Sequence, residues 1–350
     1  MSVTNITDKK PVSNGQRRNF SLVRLILEGR AFFALIVIIA VFSFLSPYYF
    51  SLSNFLTMAS HVAIFGILAI GMLLVILNGG IDLSVGSTLG LAGCIAGFLM
   101  QGVTLSSFGV ILYPPVWAVV VLTCILGGVV GAVNGVLVAY LRVPAFVASL
   151  GVLYVARGIA LLMTNGLTYN NLGGRPELGN TGFNWLGFNR LAGVPIGVIV
   201  LAVLAIICGI VLSRTAFGRW LYASGGNERA ADLSGVPVKQ VKIAVYVLSG
   251  ICAAIAGLVL SSQLTSAGPN AGTSYELTAI AAVVIGGAAL TGGRGTVRGT
   301  MLGAFVIGFL ADGLVIIGVS AYWQTVFTGA VIVLAVLMNS IQYGRRTKSG

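Results

Sequence analysis

The residues of this 350-residue chain that could do chemistry are few, and they form no catalytic set. Its one histidine, His61, cannot make a metal site alone. Cys94, Cys124, Cys208 and Cys252 fall in apolar runs without CxxC spacing, so they read as small hydrophobes rather than metal ligands or disulfide partners. There is no Ser/His/Asp arrangement. Gly292-Gly293-Arg294-Gly295 is Gly-rich but lacks the lysine of a phosphate-binding loop. What remains is a set of polar groups placed inside or beside long apolar runs. Asn78, Asp82, Ser84 and Ser87 share one junction, Asn134, Arg157 and Asp312 lie within runs, and Glu276 opens another. Such groups are costly in hydrocarbon and face an aqueous cavity or one another. The chemistry they suit is the passage of a polar solute. Asp82 also reads as a cap for the helix that follows it, and Arg157 requires either a partner, for which Glu276 and Asp312 are the candidates, or a place facing the aqueous path.

A second group of residues occupies the polar loop 214–242. Asn227 is a suitable N-cap, Glu228 places a negative charge in the first turn, and Gly235 with Pro237 forms a stop. A short helix over 228–234 follows, a rigid knob suited to a partner's groove or an ordinary capped loop helix. Ala230 and Ala231 are small enough to admit a partner surface, Leu233 offers an apolar anchor, and Glu228, Arg229 and Asp232 offer a polar rim.

The elements that position these residues are membrane helices. The chain is 57% hydrophobic and 8% charged, and its mean hydropathy is +1.01, whereas soluble domains carry about a quarter charged residues. Ten runs have the length and apolarity of a span: 31–50, 57–77, 85–102, 113–138, 145–163, 193–213, 243–262, 277–290, 299–318 and 324–341. The first follows a long polar leader and has no small-residue cleavage pattern nearby, so it reads as retained. The chain is therefore all-α and polytopic, with a polar tail over 1–30, a membrane domain over 31–341 and a second tail over 342–350.

Charge orients it. Of 20 Lys and Arg, seventeen fall in the two tails and the loops 139–144, 214–242 and 291–298, all on one side of a ten-span chain. Two, Arg175 and Arg190, fall on the other side, and Arg157 lies inside the fifth run. The positive-inside rule then makes both termini cytoplasmic. The net charge of +12 is thus a topology signal with affinity for anionic lipid, not a nucleic-acid surface. The 48 glycines lie mainly in the runs, where small faces such as Gly127-Gly128, Gly131 and Gly135, or Gly299, Gly303 and Gly308, let helices approach closely. Gly79-Gly80-Ile81-Asp82-Leu83-Ser84 is echoed by Gly286-Gly287-Ala288-Ala289-Leu290-Thr291, and Gly86 to Gly90 by Gly299 to Gly303, a possible parallel repeat.

Three motifs carry a family resemblance: Asn78-Gly-Gly-Ile-Asp82-Leu-Ser-Val-Gly-Ser87, Tyr222-Ala-Ser-Gly-Gly-Asn227 through Ala230-Ala231 to Ser234-Gly235, and Gly286-Gly287 with Gly292-Gly293-Arg294-Gly295-Thr296. With them the chain, over about 31–341, resembles the permease subunits of bacterial ABC importers of the ribose type. The resemblance implies a non-catalytic subunit of the inner membrane, without cofactor or metal, that carries a sugar or polyol. It implies as partners a second permease copy, an ATPase chain with two nucleotide-binding domains, and a periplasmic solute-binding protein. It also implies that the loop between the sixth and seventh spans meets the ATPase, through Gly218, Arg219, Gly225, Gly226, Asn227, Glu228, Arg229, Ala230, Ala231, Leu233, Ser234 and Gly235. An ion-coupled transporter, which would want an ionisable cluster at the midplane, and a membrane scaffold are the alternatives.

Overall fold

Each of the ten apolar runs is a helix in the computed structural model, which describes residues 29–105 and 109–346. In chain order these are α1 (Arg30–Leu45), α2 (Leu52–Leu77), α3 (Val85–Gln101), α4 (Val116–Ala139) and α5 (Ala145–Thr164). A one-turn helix α6 (Trp185–Phe188) precedes α7 (Ile196–Arg214). Two short helices, α8 (Ala216–Gly226) and α9 (Glu228–Leu233), lead to α10 (Val238–Leu264), α11 (Tyr275–Ile285), α12 (Val297–Ile316) and α13 (Ala321–Arg346). Among the described residues, α2, α4, α5, α7, α10 and α12 are long and apolar enough to cross a bilayer alone. The apolar part of α1, α3 and α11 are shorter. Most of the two expected tails, 1–28 and 347–350, lies outside the described residues.

Burial sorts the helices into layers. From Val62 onward α2 is apolar all round and almost wholly buried, as a central helix must be. α4, α5 and α7 bury one face only, and their other faces carry exposed apolar side chains such as Ile125, Val129, Val155, Ile159, Ile206 and Ile210. These are lipid-facing surfaces.

The glycine faces pack as small residues in lipid do. α4 and α10 form the most extensive helix contact among the described residues. A Cβ at Gly131 would run into the Tyr246 carbonyl, and one at Gly250 into the Gly127 carbonyl. The face of α12 meets α11, where a Cβ at Gly303 would strike the Ala282 carbonyl.

Contacts at the two ends follow the ten-span alternation. At one end the turn after α2, the loop 139–144, the segment α8–α9 and the turn before α12 come together. At the other, a strand over Tyr169–Asn170 pairs antiparallel with one over Ser266–Ala267, Asn180 Nδ2 donates to the Met100 carbonyl, and the Ser262 hydroxyl donates to the Phe183 carbonyl.

Two expectations shift. The eighth run was read as 277–290, but α11 is 11 residues long and ends at Ile285, because Gly287 at φ +92° closes a helix stop. The repeat is displaced by one residue. Gly79 N–H bonds the Ile76 carbonyl and Gly80 N–H the Val75 carbonyl after α2, and Gly287 and Ala288 bond Val284 and Val283 likewise after α11. Gly79 therefore corresponds to Gly287, not Gly286.

Replacing Gly131 by Leu forces α4 from α10, and overpacking of this kind costs about 1–3 kcal/mol. The expected outcome is a lower melting temperature in detergent for Gly131→Leu. Gly151→Ala, on an open face of α5, keeps or raises it. Equal melting temperatures for Gly131→Leu and the parent chain contradict the packing.

Candidate functional site

At the end bearing the loop 214–242, α9 forms as its caps require. Asn227 Oδ1 accepts from Ala230 N at 2.9 Å, Glu228 sits in the first turn, and Gly235 takes φ +81° to end the helix at Leu233. Lys242 Nζ donates to Glu228 Oε1 at 2.7 Å and ties α9 to α10. Ala230, Arg229, Asp232 and Ser234 are exposed, and Leu233 is 82% exposed. Ala231 differs from the reading of it as a contact residue. It is 4% exposed and faces its own chain, because it occupies the inner side of the single turn and a half of helix.

α8 was not foreseen. Its sequence is only weakly apolar, yet the spacing of Phe217 and Leu221 gives it one buried face, and Thr215 caps it by accepting from Gly218 N at 3.3 Å. Arg219 lies in its middle and is exposed. The helix is fixed to the membrane domain where three glycine-rich turns interlock. Gly293 N donates to the Leu77 carbonyl at 2.9 Å. A Cβ at Gly225 would collide with that same carbonyl, and one at Gly293 with the backbone of Gly226. Asn78 Nδ2 donates to Ser224 Oγ at 3.0 Å, and Tyr222 Oη donates to the Gly295 carbonyl at 2.8 Å. Burial pushes the Tyr222 phenol above its usual range, so it keeps the proton it donates. Beside this interlock a cleft of about 630 Å³ opens, lined among others by Asn78, Arg142, Arg229, Asp232 and Lys239.

Inside the bundle the expected polar groups separate into two sets. Asp82, Ser84, Ser87 and Asn134 are each at most 2% exposed. Asp82 Oδ1 accepts from Ser84 N at 3.0 Å and Ser84 Oγ at 2.6 Å, and Oδ2 accepts from Ser249 Oγ at 3.0 Å. Asn134 Nδ2 donates to Ser84 Oγ at 2.8 Å, and Ser87 Oγ donates to the Ser84 carbonyl at 2.8 Å. Asp82 therefore does not cap α3 as expected, since its bonds go to Ser84, the residue at the N-cap, and to no N–H of the helix; it braces the turn before α3 and joins α4 and α10 to it.

The second set surrounds a non-helical segment. Residues 265–274 leave α10 and run antiparallel along α3, against a face made of Gly97, Gly93, Gly90 and Gly86 at helical spacing. Tyr169 meets Gly97, Ala267 meets Gly93, the Ala271 carbonyl meets Gly90 and the Gly272 carbonyl meets Gly86. A larger residue at Gly90 or Gly86 would drive the backbone of the segment away. Arg157 does not form an ion pair with Glu276 or Asp312. Its Nη1 donates to the carbonyls of Pro269 and, at 2.9 Å, Ala271. The guanidinium therefore supplies donors that an unwound chain needs in the absence of water. The Glu276 carboxylate lies in the first turn of α11 and against Gly86 in the first turn of α3, at the positive ends of two helices. Asp312 pairs instead with His61, Oδ1 to Nδ1 at 3.0 Å, a residue that its sequence context did not mark as a site.

The family described as branched-chain amino acid transport system / permease component matches residues 54–336. The ribose import permease protein RbsC of Escherichia coli (strain K12) is 42% identical over 324 residues, 93% of this chain and 97% of that protein. The galactose/methyl galactoside import permease protein MglC of the same strain is 34% identical over 333 residues, 93% of this chain and 98% of that protein. The xylose transport system permease protein XylH, also of that strain, is 36% identical over 346 residues, 83% of this chain and 86% of that protein. No solved structure matches the chain.

Arg157→Ala leaves two deep carbonyls without a charged donor, and a hydrogen bond to a charged group is worth about 1.5–3 kcal/mol. The expected result is a large fall in the amount of folded protein. Because the partners are carbonyls, adding Glu276→Ala does not restore it. Recovery in the double variant would show that the arginine serves an ion pair with Glu276.

Proposed function

We propose that this chain, which belongs to the family of branched-chain amino acid transport system permease components, is the membrane-spanning subunit of an ATP-driven sugar importer. The observation that carries the proposal is the full-length similarity to three sugar import permeases, one each for ribose, galactose and xylose. The solute is then an uncharged, hydroxylated sugar of the pentose or hexose class, and the protein is a multi-pass protein of the bacterial inner membrane. The chain itself performs no hydrolysis and supplies the path.

The remaining parts of the machine are partners. A cytoplasmic ATPase subunit with two nucleotide-binding domains supplies energy, a periplasmic binding protein delivers the solute, and a second copy of this chain completes the path. The orientation follows the basic residues, with both termini and the loop 214–242 in the cytoplasm.

The contact with the ATPase is α9. A short helix transmits a push only if it is rigid and seated. α9 is capped at both ends and tied by Lys242 to α10, and α8 is held against the ends of α2 and α12 by the glycine interlock. Its exposed face offers Leu233 as an anchor within a rim of Glu228, Arg229 and Asp232, while Gly218 and Gly225 let α8 lie close to the membrane domain. Movement of α9 thus reaches Leu77 at the end of α2 through backbone contacts.

Because Ala231 is buried, Leu233 is the informative position. Leu233→Asp changes no contact within the core, so membrane abundance stays normal. Co-purification with the ATPase subunit and ATP hydrolysis stimulated by loaded binding protein are expected to fall together. If both persist in Leu233→Asp, the ATPase docks elsewhere at this end, and the cleft beside loop 139–144 is the next surface to probe.

A further inference from the structure

We infer that the solute path of this subunit runs along the outer half of α2 and the non-helical segment 265–274, and that Thr57, His61, Phe65, Asn270, Thr273 and Tyr275 line it. The inference rests on the transporter reading and adds to it the surface that meets the sugar.

The first observation is a polar face where lipid would require an apolar one. Thr57, His61 and Phe65 follow one another at helical spacing on α2. Thr57 and His61 are exposed, and the His61 side chain is 50% exposed although it lies nine residues, about 13 Å, along the helix from its outer start. Its partner Asp312 is on the neighbouring α12. The exposed faces of α4, α5 and α7 are lined at corresponding depths by Val, Ile and Leu. An ionisable pair and an exposed threonine in the hydrocarbon zone face water or a partner, not acyl chains.

The second observation is independent of side-chain type. Asn270, Thr273 and Ser274 are exposed, and they belong to the segment that lies between Gly90 and Gly86 of α3, well inside the span. Helical hydrogen bonds do not satisfy this backbone. Irregular backbone occurs at membrane depth only where protein buries it or where it lines a water-filled cavity. One side of this segment is buried against α3 and held by Arg157. The other side is open and therefore belongs to the cavity.

The two surfaces are joined. The rings of Phe65 and Tyr275 approach to 4.8 Å between centroids, tilted by 57°, where α2 meets the start of α11. The path thus has hydroxyl, amide and imidazole groups above an aromatic shelf. A sugar presents the matching chemistry, hydroxyls that both donate and accept and C–H faces that pack on aromatic rings. The acids Asp82 and Glu276 are turned into the protein, so no free carboxylate meets the solute from these positions.

The test is reaction of single cysteines with a charged, membrane-impermeant methanethiosulfonate in membranes containing the assembled importer. Thr57→Cys and Thr273→Cys are compared with Val129→Cys on the lipid face, with the parent chain measuring any reaction of Cys94, Cys124, Cys208 and Cys252. The thiolate is the reacting form and apolar surroundings suppress it, about tenfold per unit of pKa. Both path cysteines are expected to react at least about tenfold faster than Val129→Cys by this argument, with sugar uptake lost in step with modification. Thr273→Trp is expected to lose uptake while keeping ATP hydrolysis stimulated by loaded binding protein. Labelling of Thr57→Cys and Thr273→Cys no faster than Val129→Cys overturns the inference even if wild-type uptake is intact. Absence of uptake by the wild-type assembly counts against the transporter reading instead, and the labelling rates still decide whether this surface is wet.

Discussion

In the hydrocarbon zone of a bilayer every backbone N–H and C=O must find its partner inside the protein, and the organisation of this chain follows from where helices cannot provide it. Among the described residues, the segments 78–84 and 265–274 break the helical pattern where they pack against α3. Each is rescued by a side chain of matching chemistry. Asp82 gathers donors from Ser84 and Ser249, with Ser84 in turn held by Asn134, and Arg157 donates to the carbonyls of Pro269 and Ala271. The residues that first appear to be scattered intramembrane polar groups are largely these rescuers. The glycine face of α3 belongs to the same solution, because it lets an extended chain lie against a helix without losing van der Waals contact.

The same economy joins the membrane domain to its exposed end. Turns after α2 and α11 end in the same stop, with glycine in a left-handed conformation at Gly79 and Gly287. The turn after α2 and the residues before α12 then meet the end of α8 with backbone against backbone. Contacts of this kind leave little slack, since interiors are close-packed and respond to displacement by switching rather than by yielding. A force on α9 therefore arrives at α2, and α2 carries Thr57, His61 and Phe65 at its far half. On the proposed coupling, the helix that would receive the push is the helix that faces the proposed path.

Much of this was legible in the sequence. Runs of about twenty apolar residues mark spans whatever their packing, and all ten runs are helices. Asn227 and Gly235 fixed the ends of α9 because caps act locally. Partner identities were harder. Arg157 was matched with acids because a buried cation usually wants a carboxylate, but Gly268-Pro269 and Ala271-Gly272 mark a turn-rich stretch whose carbonyls compete for it. α8 escaped notice because its one buried face is too narrow to stand out beside the spans. The inward aspect of Ala231 depends on tertiary docking, which six residues of helix cannot reveal. The repeat was misaligned by matching glycine pairs, when the feature shared by both turns is the left-handed residue.

The central claim is that this chain moves sugar only as part of an ATP-driven assembly. The direct measurement is uptake of radiolabelled ribose, galactose and xylose into proteoliposomes holding the chain together with its ATPase and binding-protein partners. The account predicts accumulation of at least one of these sugars above its external concentration, requiring ATP on the side of α9 and binding protein on the opposite side. Accumulation by the chain alone under a proton or sodium gradient, indifferent to ATP, would contradict it.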